Sequence, residues 1–189
     1  MSIAAIRSRA DDFGYRFAVQ PLAGARVMLP VLMYHSIGPV PADSRRRSIF
    51  VPGTVFDRQM RLLTLMGYRG VTMSEALMHL SSPPPAASAQ KLCAITFDDG
   101  FQDNIDTALP ILRKHGHQAT CYVVSDRLGH WNEWSYDVLA AGSALADAHG
   151  IGEWIQGGME LGAHTRTHAP LTHLDNVRLD DEVRGCKRR

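Results

Sequence analysis

Residues 92–100 read LCAITFDDG, and the reading of this stretch decides the fold. Leu92 to Phe97 is the clearest strand signal in the chain, an apolar and β-branched run of strand length. It closes on Asp98, Asp99 and Gly100, at the strand's C-terminal end. Outward from it, four more runs read as strands: Val27 to Tyr34 (VMLPVLMY, despite Pro30), Tyr68 to Met73, Ala119 to Val124 (ATCYVV) and Met159 to Ala163. Helical spacing fills the intervals. Phe56, Met60, Leu62 and Leu63 recur at three- and four-residue steps over Thr54 to Met66, with Gly67 as the stop. Ser74 and Glu75 open a short helix ending near Leu80. Asn104 to His115 puts Ile105, Ala108, Leu109 and Leu112 on one side, although Pro110 argues against a straight helix. Ser135 caps a helix running to His149 with Val138, Leu139 and Leu145 inward, and Asp175 to Arg189 begins another. Strands alternating with helices predict right-handed crossovers and a parallel sheet, hence an α/β fold. Closing a (β/α) barrel takes about eight strands and roughly 250 residues. Five strands in 189 residues predict a barrel incomplete at its C-terminal end.

Composition bounds the function. Twenty Lys+Arg against 19 Asp+Glu give a formal net charge of +1, and 45% hydrophobic with 21% charged residues is ordinary globular usage. That balance offers no basic field for nucleic acid and no polybasic signal for an anionic membrane, and no apolar run approaches the ~20 residues of a membrane span. Cys93, Cys121 and Cys186 form no Cys-x-x-Cys pair, and Cys93 and Cys121 sit inside apolar runs as buried thiols. Residues 1–26 read as an N-terminal extension with Arg7, Arg9, Asp11, Asp12, Arg16 and Arg26, without the apolar core of a secretory signal. A cytoplasmic location is expected of the chain as written, with export left open if the true start lies upstream. The triplet Arg45-Arg46-Arg47 reads as part of a solvated loop, and SSPPPAASAQ at 81–90 as a surface connector.

Two motifs carry chemistry. In a parallel α/β protein the C-terminal end of a strand faces the ligand side, which is where Asp98 and Asp99 fall. Successive strand residues point to opposite faces, so the two carboxylates are expected to diverge into separate roles at the turn. Asp-Gly is also an ordinary strand-ending turn. The second motif, His164-Thr165-Arg166-Thr167-His168, follows the fifth strand. Histidines at i and i+4 can converge on one ion from a helical turn or a tight loop, although a polar loop with two exposed imidazoles has the same spacing. Both motifs lie at strand C-termini of one sheet. An aspartate and two histidines there make three N/O ligands with a position open for water or substrate, the ligand set of a catalytic zinc or another divalent first-row ion.

TFDDG at 96–100 and HTRTH at 164–168 resemble the first two motifs of the polysaccharide deacetylases, the carbohydrate esterase group that includes chitin, peptidoglycan and rhizobial chitooligosaccharide deacetylases. LPVLMYHSI at 29–37, FDRQMRLLTLMGYRGVT at 56–72 and ALPILRKHGHQAT at 108–120 extend the resemblance over residues 27–189, about two-thirds of such a domain. It implies a distorted (β/α) barrel and metal-dependent hydrolysis of N-acetyl groups on an amino-sugar polymer or oligosaccharide. It also implies Asp98 as base, with Asp99, His164 and His168 holding the ion, zinc first. Ala169 stands where the family usually has proline, and Pro170 follows. The family's later motifs supply an orienting arginine, aromatic groove residues and a general-acid histidine, and none falls within the chain. His35 and His173 are the candidate proton donors inside it.

Two other classes compete with this reading. A glycosidase needs two carboxylates about 5–9.5 Å apart across the scissile bond, which adjacent aspartates fit poorly, and has no use for the histidine pair. The alternative to an active enzyme is a deacetylase-like fragment that binds metal, glycan or a partner chain. Its open sheet edge would favour self-association.

Overall fold

The computed structural model describes residues 29–40, 47–82, 90–134 and 143–188. The N-terminal extension, most of the arginine triplet, most of the 81–90 connector and residues 135–142 of the expected 135–149 helix lie outside the described residues. Five parallel strands form one sheet: β1 Val31–Tyr34, β2 Tyr68–Val71, β3 Lys91–Phe97, β4 Thr120–Val123 and β5 Glu160–Ala163. Among the described residues no helix is long and apolar enough to cross a membrane.

β3 organises the sheet, and its burial explains why its sequence reads so clearly. Every residue from Leu92 to Phe97 is buried. One edge of β3 pairs with β1, Ala94 to Phe97 lying opposite Val31 to Tyr34. The other edge is shared: Lys91 to Ala94 pair with β2, and Thr96 and Phe97 with Thr120 and Cys121 of β4. β5 then adds to β4. This register aligns the C-terminal ends of β1, β3, β4 and β5, so that Asp98 N donates to Tyr34 O at 2.9 Å and His164 N to Val123 O at 2.8 Å.

The helices are α1 Gly53–Leu65, α2 Met73–Ser81, α3 Leu109–His115, α4 Ala148–Gln156 and α5 Asn176–Gly185. α1 turns Phe56, Met60 and Leu63 into the core. Leu62, expected beside them, is 52% exposed, because three successive core positions at 3.6-residue period leave 62 on the flank. Gly67 ends the segment at φ 77°. Thr72 rather than Ser74 caps α2, accepting from Glu75 N. Tyr34, Phe56, Phe97 and Trp154 make a run of edge-on and stacked rings with centroids 5.0–5.8 Å apart. Cys93 and Cys121 are buried thiols, and burial pushes Cys93 up to about 12.

Two expectations change. The Asn104–His115 segment is helical throughout, but Asn104–Ala108 is a π-helical stretch in which Leu109 N reaches back to Asn104 O. The wider turn resets the helix so that Pro110 falls in the first turn of α3, where its missing N–H costs nothing. The expected Ser135–His149 helix is not continuous. Residues 143–147 are extended, and the helix starts only at Ala148, capped by Asp147, whose side chain accepts from Gly150 N at 2.8 Å.

Candidate metal centre

The strand β3 ends in a turn that separates its two aspartates. Asp99 and Gly100 both adopt left-handed backbone, at φ 73° and 75°. A Cβ at Gly100 would lie 2.9 Å from Val123 Cγ1, so both the angle and the space require glycine. Asp98 remains half-buried while Asp99 is 6% exposed. Burial raises the Asp98 carboxyl above the usual carboxylate range, against the pull of His35 and His164. Burial also works to raise Asp99, but the adjoining His168 imidazole, with His35 and His164 nearby, takes it below the usual range. The two adjacent carboxyls thus sit in different environments.

The 164–168 motif is a tight loop, not a helical turn. Thr165 and His168 stand at φ 63° and 64°. With Asp99 they are the only non-glycine residues at positive φ among the described residues, each costing on the order of 1–3 kcal/mol. The loop is fastened on two sides. Ser125 N and Asp126 N donate to Thr165 O and Arg166 O at 3.3 and 2.9 Å, while Arg166 Nε donates to Asp126 Oδ2 at 2.6 Å. From α5, Glu182 accepts from Arg166 N, Thr167 N and the Thr167 hydroxyl, and Asp181 pairs with Arg166. His168 N closes the loop on Thr165 Oγ1 at 3.1 Å.

These two turns bring Asp99, His164 and His168 together, with one ligand atom from each lying within 4.8 Å of the others. Asp99 Oδ1 is 3.5 Å from His164 Nε2 and 3.3 Å from His168 Nε2. Two ligand atoms each ~2.0–2.1 Å from a tetrahedral ion stand ~3.3–3.4 Å apart, so the spacing suits a shared cation. Asp99 Oδ1 is moreover fully buried without a hydrogen-bond partner, a costly state for a carboxylate oxygen unless a cation meets it. One oxygen and two imidazole nitrogens fit zinc or another divalent first-row ion.

Neighbouring side chains that sequence reasoning missed complete the surroundings. Residues 130–132 and 143–145 form a short backbone-paired ribbon, tied to the turn after β3 by Ala146 N donating to Gly100 O and Gln102 N donating to Ala144 O. Beyond this ribbon Trp134 stacks on His168, centroids 4.3 Å apart and planes 18° from parallel. Asp103 accepts from the Ser36 hydroxyl at 2.5 Å and Ile37 N at 3.0 Å, and Asn104 Nδ2 donates to His35 O at 2.7 Å. His35 lies close enough to Asp98 and Asp99 to act on both carboxyls. His173, the other donor candidate, is exposed on the short turn Leu171–His173. Trp134 and Glu182 carried no sequence signal, since a lone tryptophan and a helical glutamate have no diagnostic spacing.

The family profile described as polysaccharide deacetylase matches residues 86–189. A Bacillus subtilis (strain 168) protein named "Putative polysaccharide deacetylase YxkH" is 31% identical over 160 residues, covering 85% of this chain and 50% of the relative. The chain thus spans half the length of that curated relative. Among solved structures, the Streptococcus pyogenes deacetylase PplD in complex with acetate matches at TM-score 0.66 and 26% identity, over 85% of this chain and 66% of that one. IcaB from Ammonifex degensii matches at TM-score 0.60 and 26% identity, over 78% and 56% of the two chains.

Proposed function

The chain belongs to the polysaccharide deacetylase family, and from that premise we propose that it hydrolyses N-acetyl groups on an amino-sugar polymer or oligosaccharide at a zinc centre held by Asp99, His164 and His168. Its α/β architecture is of that family's distorted (β/α)-barrel type, with five parallel strands described. The observation that carries the reading is Asp99 Oδ1, buried, without a hydrogen-bond partner, and 3.3–3.5 Å from two imidazole nitrogens.

When bound, the ion supplies Lewis-acid polarisation of the acetyl carbonyl and lowers the pKa of water toward ~7. The residues supply the rest. Asp98 takes the proton from the attacking water as general base, standing beside the ligand set at the end of β3. Asp99 is committed to the cation, and its left-handed backbone turns it away from the β3 register that holds Asp98 N on Tyr34 O. The departing amine takes a proton from His35, whose backbone carbonyl is held by Asn104 Nδ2 and whose imidazole interacts with both aspartates. Acetate and a free amino sugar leave.

The test is metal content by mass spectrometry after zinc loading and desalting, followed by acetate release from N-acetylglucosamine oligomers. About one zinc per chain and zinc-dependent acetate release are expected. A folded chain that retains no zinc overturns the reading.

A further inference from the structure

We infer that Glu182, a helix residue outside both motifs, is the positioning residue that pre-forms the zinc centre, an inference that rests on the metal-site reading above. Glu182 lies on α5 and is 7% exposed. Its Oε2 accepts from Arg166 N at 2.9 Å and Thr167 N at 2.8 Å, and its Oε1 from the Thr167 hydroxyl at 2.5 Å. The Thr165 side chain hydrogen-bonds it as well. One carboxylate thus engages each of the three residues between the two histidines.

The need for such a group follows from the backbone. Thr165 and His168 sit in left-handed conformations that neither residue type favours, so the loop must be held by something outside itself. Its N–H groups at 166 and 167 both donate to Glu182 rather than to a strand. An ionised acceptor satisfies both and leaves its second oxygen for a hydroxyl. Arg166 adds the lateral restraint: it pairs with Asp126 beyond β4 and with Asp181, the residue before Glu182. α5 and the segment after β4 therefore both hold the loop that carries His164 and His168 beside Asp99. Glu182's hydrogen-bond partners are residues 165 to 167 and not the histidines, so its effect reaches the ion through loop geometry.

The experiment compares wild type, Glu182→Ala, Glu182→Gln and Thr167→Val by zinc affinity, measured against a chromophoric chelator, and by the visible absorption of the cobalt-loaded protein, with circular dichroism reporting the fold. Glu182→Ala is expected to weaken zinc about 10–100-fold and to alter the cobalt bands. Glu182→Gln, which keeps an acceptor oxygen, is expected to recover part of the affinity, and Thr167→Val to lie between it and wild type. A Glu182→Ala protein that folds, whether or not it is less stable, and keeps wild-type zinc affinity and cobalt spectrum overturns the positioning role. Should Glu182→Ala fail to fold, wild-type affinity and spectrum in both Glu182→Gln and Thr167→Val overturn it equally. Wild type that takes up no zinc overturns the metal-site reading itself, and this inference with it.

Discussion

At the scale of the residue, Asp98 and Asp99 show how far neighbours can be driven apart by one turn. The left-handed step at Asp99 gives one carboxyl a site beside two imidazoles and leaves the other half-buried with a raised proton affinity. Their substitutions should therefore separate. Asp99→Ala is expected to lose bound zinc, read as metal per chain after desalting. Asp98→Asn is expected to keep the ion and lose about 10²–10⁴ in acetate release, the usual weight of a general base. Equal zinc loss in both variants would mean that the pair shares one role. His35→Gln should likewise retain zinc while lowering acetate release about 10²–10⁴-fold if His35 delivers the proton to the amine. An unchanged rate would exclude His35 as the donor. The histidine spacing and the Asp-Asp-Gly turn were readable because side-chain type and position alone define them. Glu182 and Trp134 were not, because their partners are backbone N–H groups and an aromatic face brought near only by the folded chain.

At the scale of the element, His117 fastens the β2 end of the sheet to α1. Gly70 N donates to its Nδ1 at 3.0 Å, which fixes Nδ1 as an acceptor, and Nε2 donates to Met60 O at 3.0 Å. Burial lowers the ring's affinity for protons below the ordinary histidine value of 6.5, since charging it would also set a new N–H against that of Gly70. The unfolded chain then binds more protons than the folded one in the window below 6.5. The histidine's contribution is fully present above that value and is lost as pH falls through the depressed folded pKa. The metal-free protein should show a melting temperature that drops between about pH 7 and pH 5. His117→Gln should flatten that drop, measured by circular dichroism; an identical acid profile would place the titration elsewhere. Gly70→Ala should cost about 1–3 kcal/mol, because its Cβ would fall 2.4 Å from Ile95 Cδ1 and 2.9 Å from His117 Cβ. The strands were legible because each is a short apolar run cut off by turn residues. The segment before α4 was not: 143–147 has helical spacing in Leu145, but backbone bonds to His130, Gly100 and Gln102 draw it into a ribbon instead.

At the scale of the whole molecule, the sheet's pattern of burial runs out at β5. The register sets Tyr34, Phe97, Cys121 and Leu161 side by side on one face. The first three are buried, whereas Leu161 is 39% exposed. Glu160 to Ala163 alternate between half-buried and exposed, and among the described residues β5 pairs only with β4. An apolar row that ends in solvent beside a strand with no second strand partner among the described residues is a template for another strand. The chain studied by itself is therefore expected to associate as it is concentrated from the low- to the high-micromolar range, seen as a rising sedimentation coefficient. Leu161→Lys places a charge on the row without touching the ligand loop, since His164 N is held by Val123 O rather than by the outer edge. It should lower the association and leave zinc uptake at the wild-type level. A sedimentation coefficient that is constant with concentration in wild type would show that the exposed row and edge are already satisfied. If Leu161→Lys also lost zinc, the edge would be supporting the metal centre, and β5 would belong to the site as much as the loop it carries.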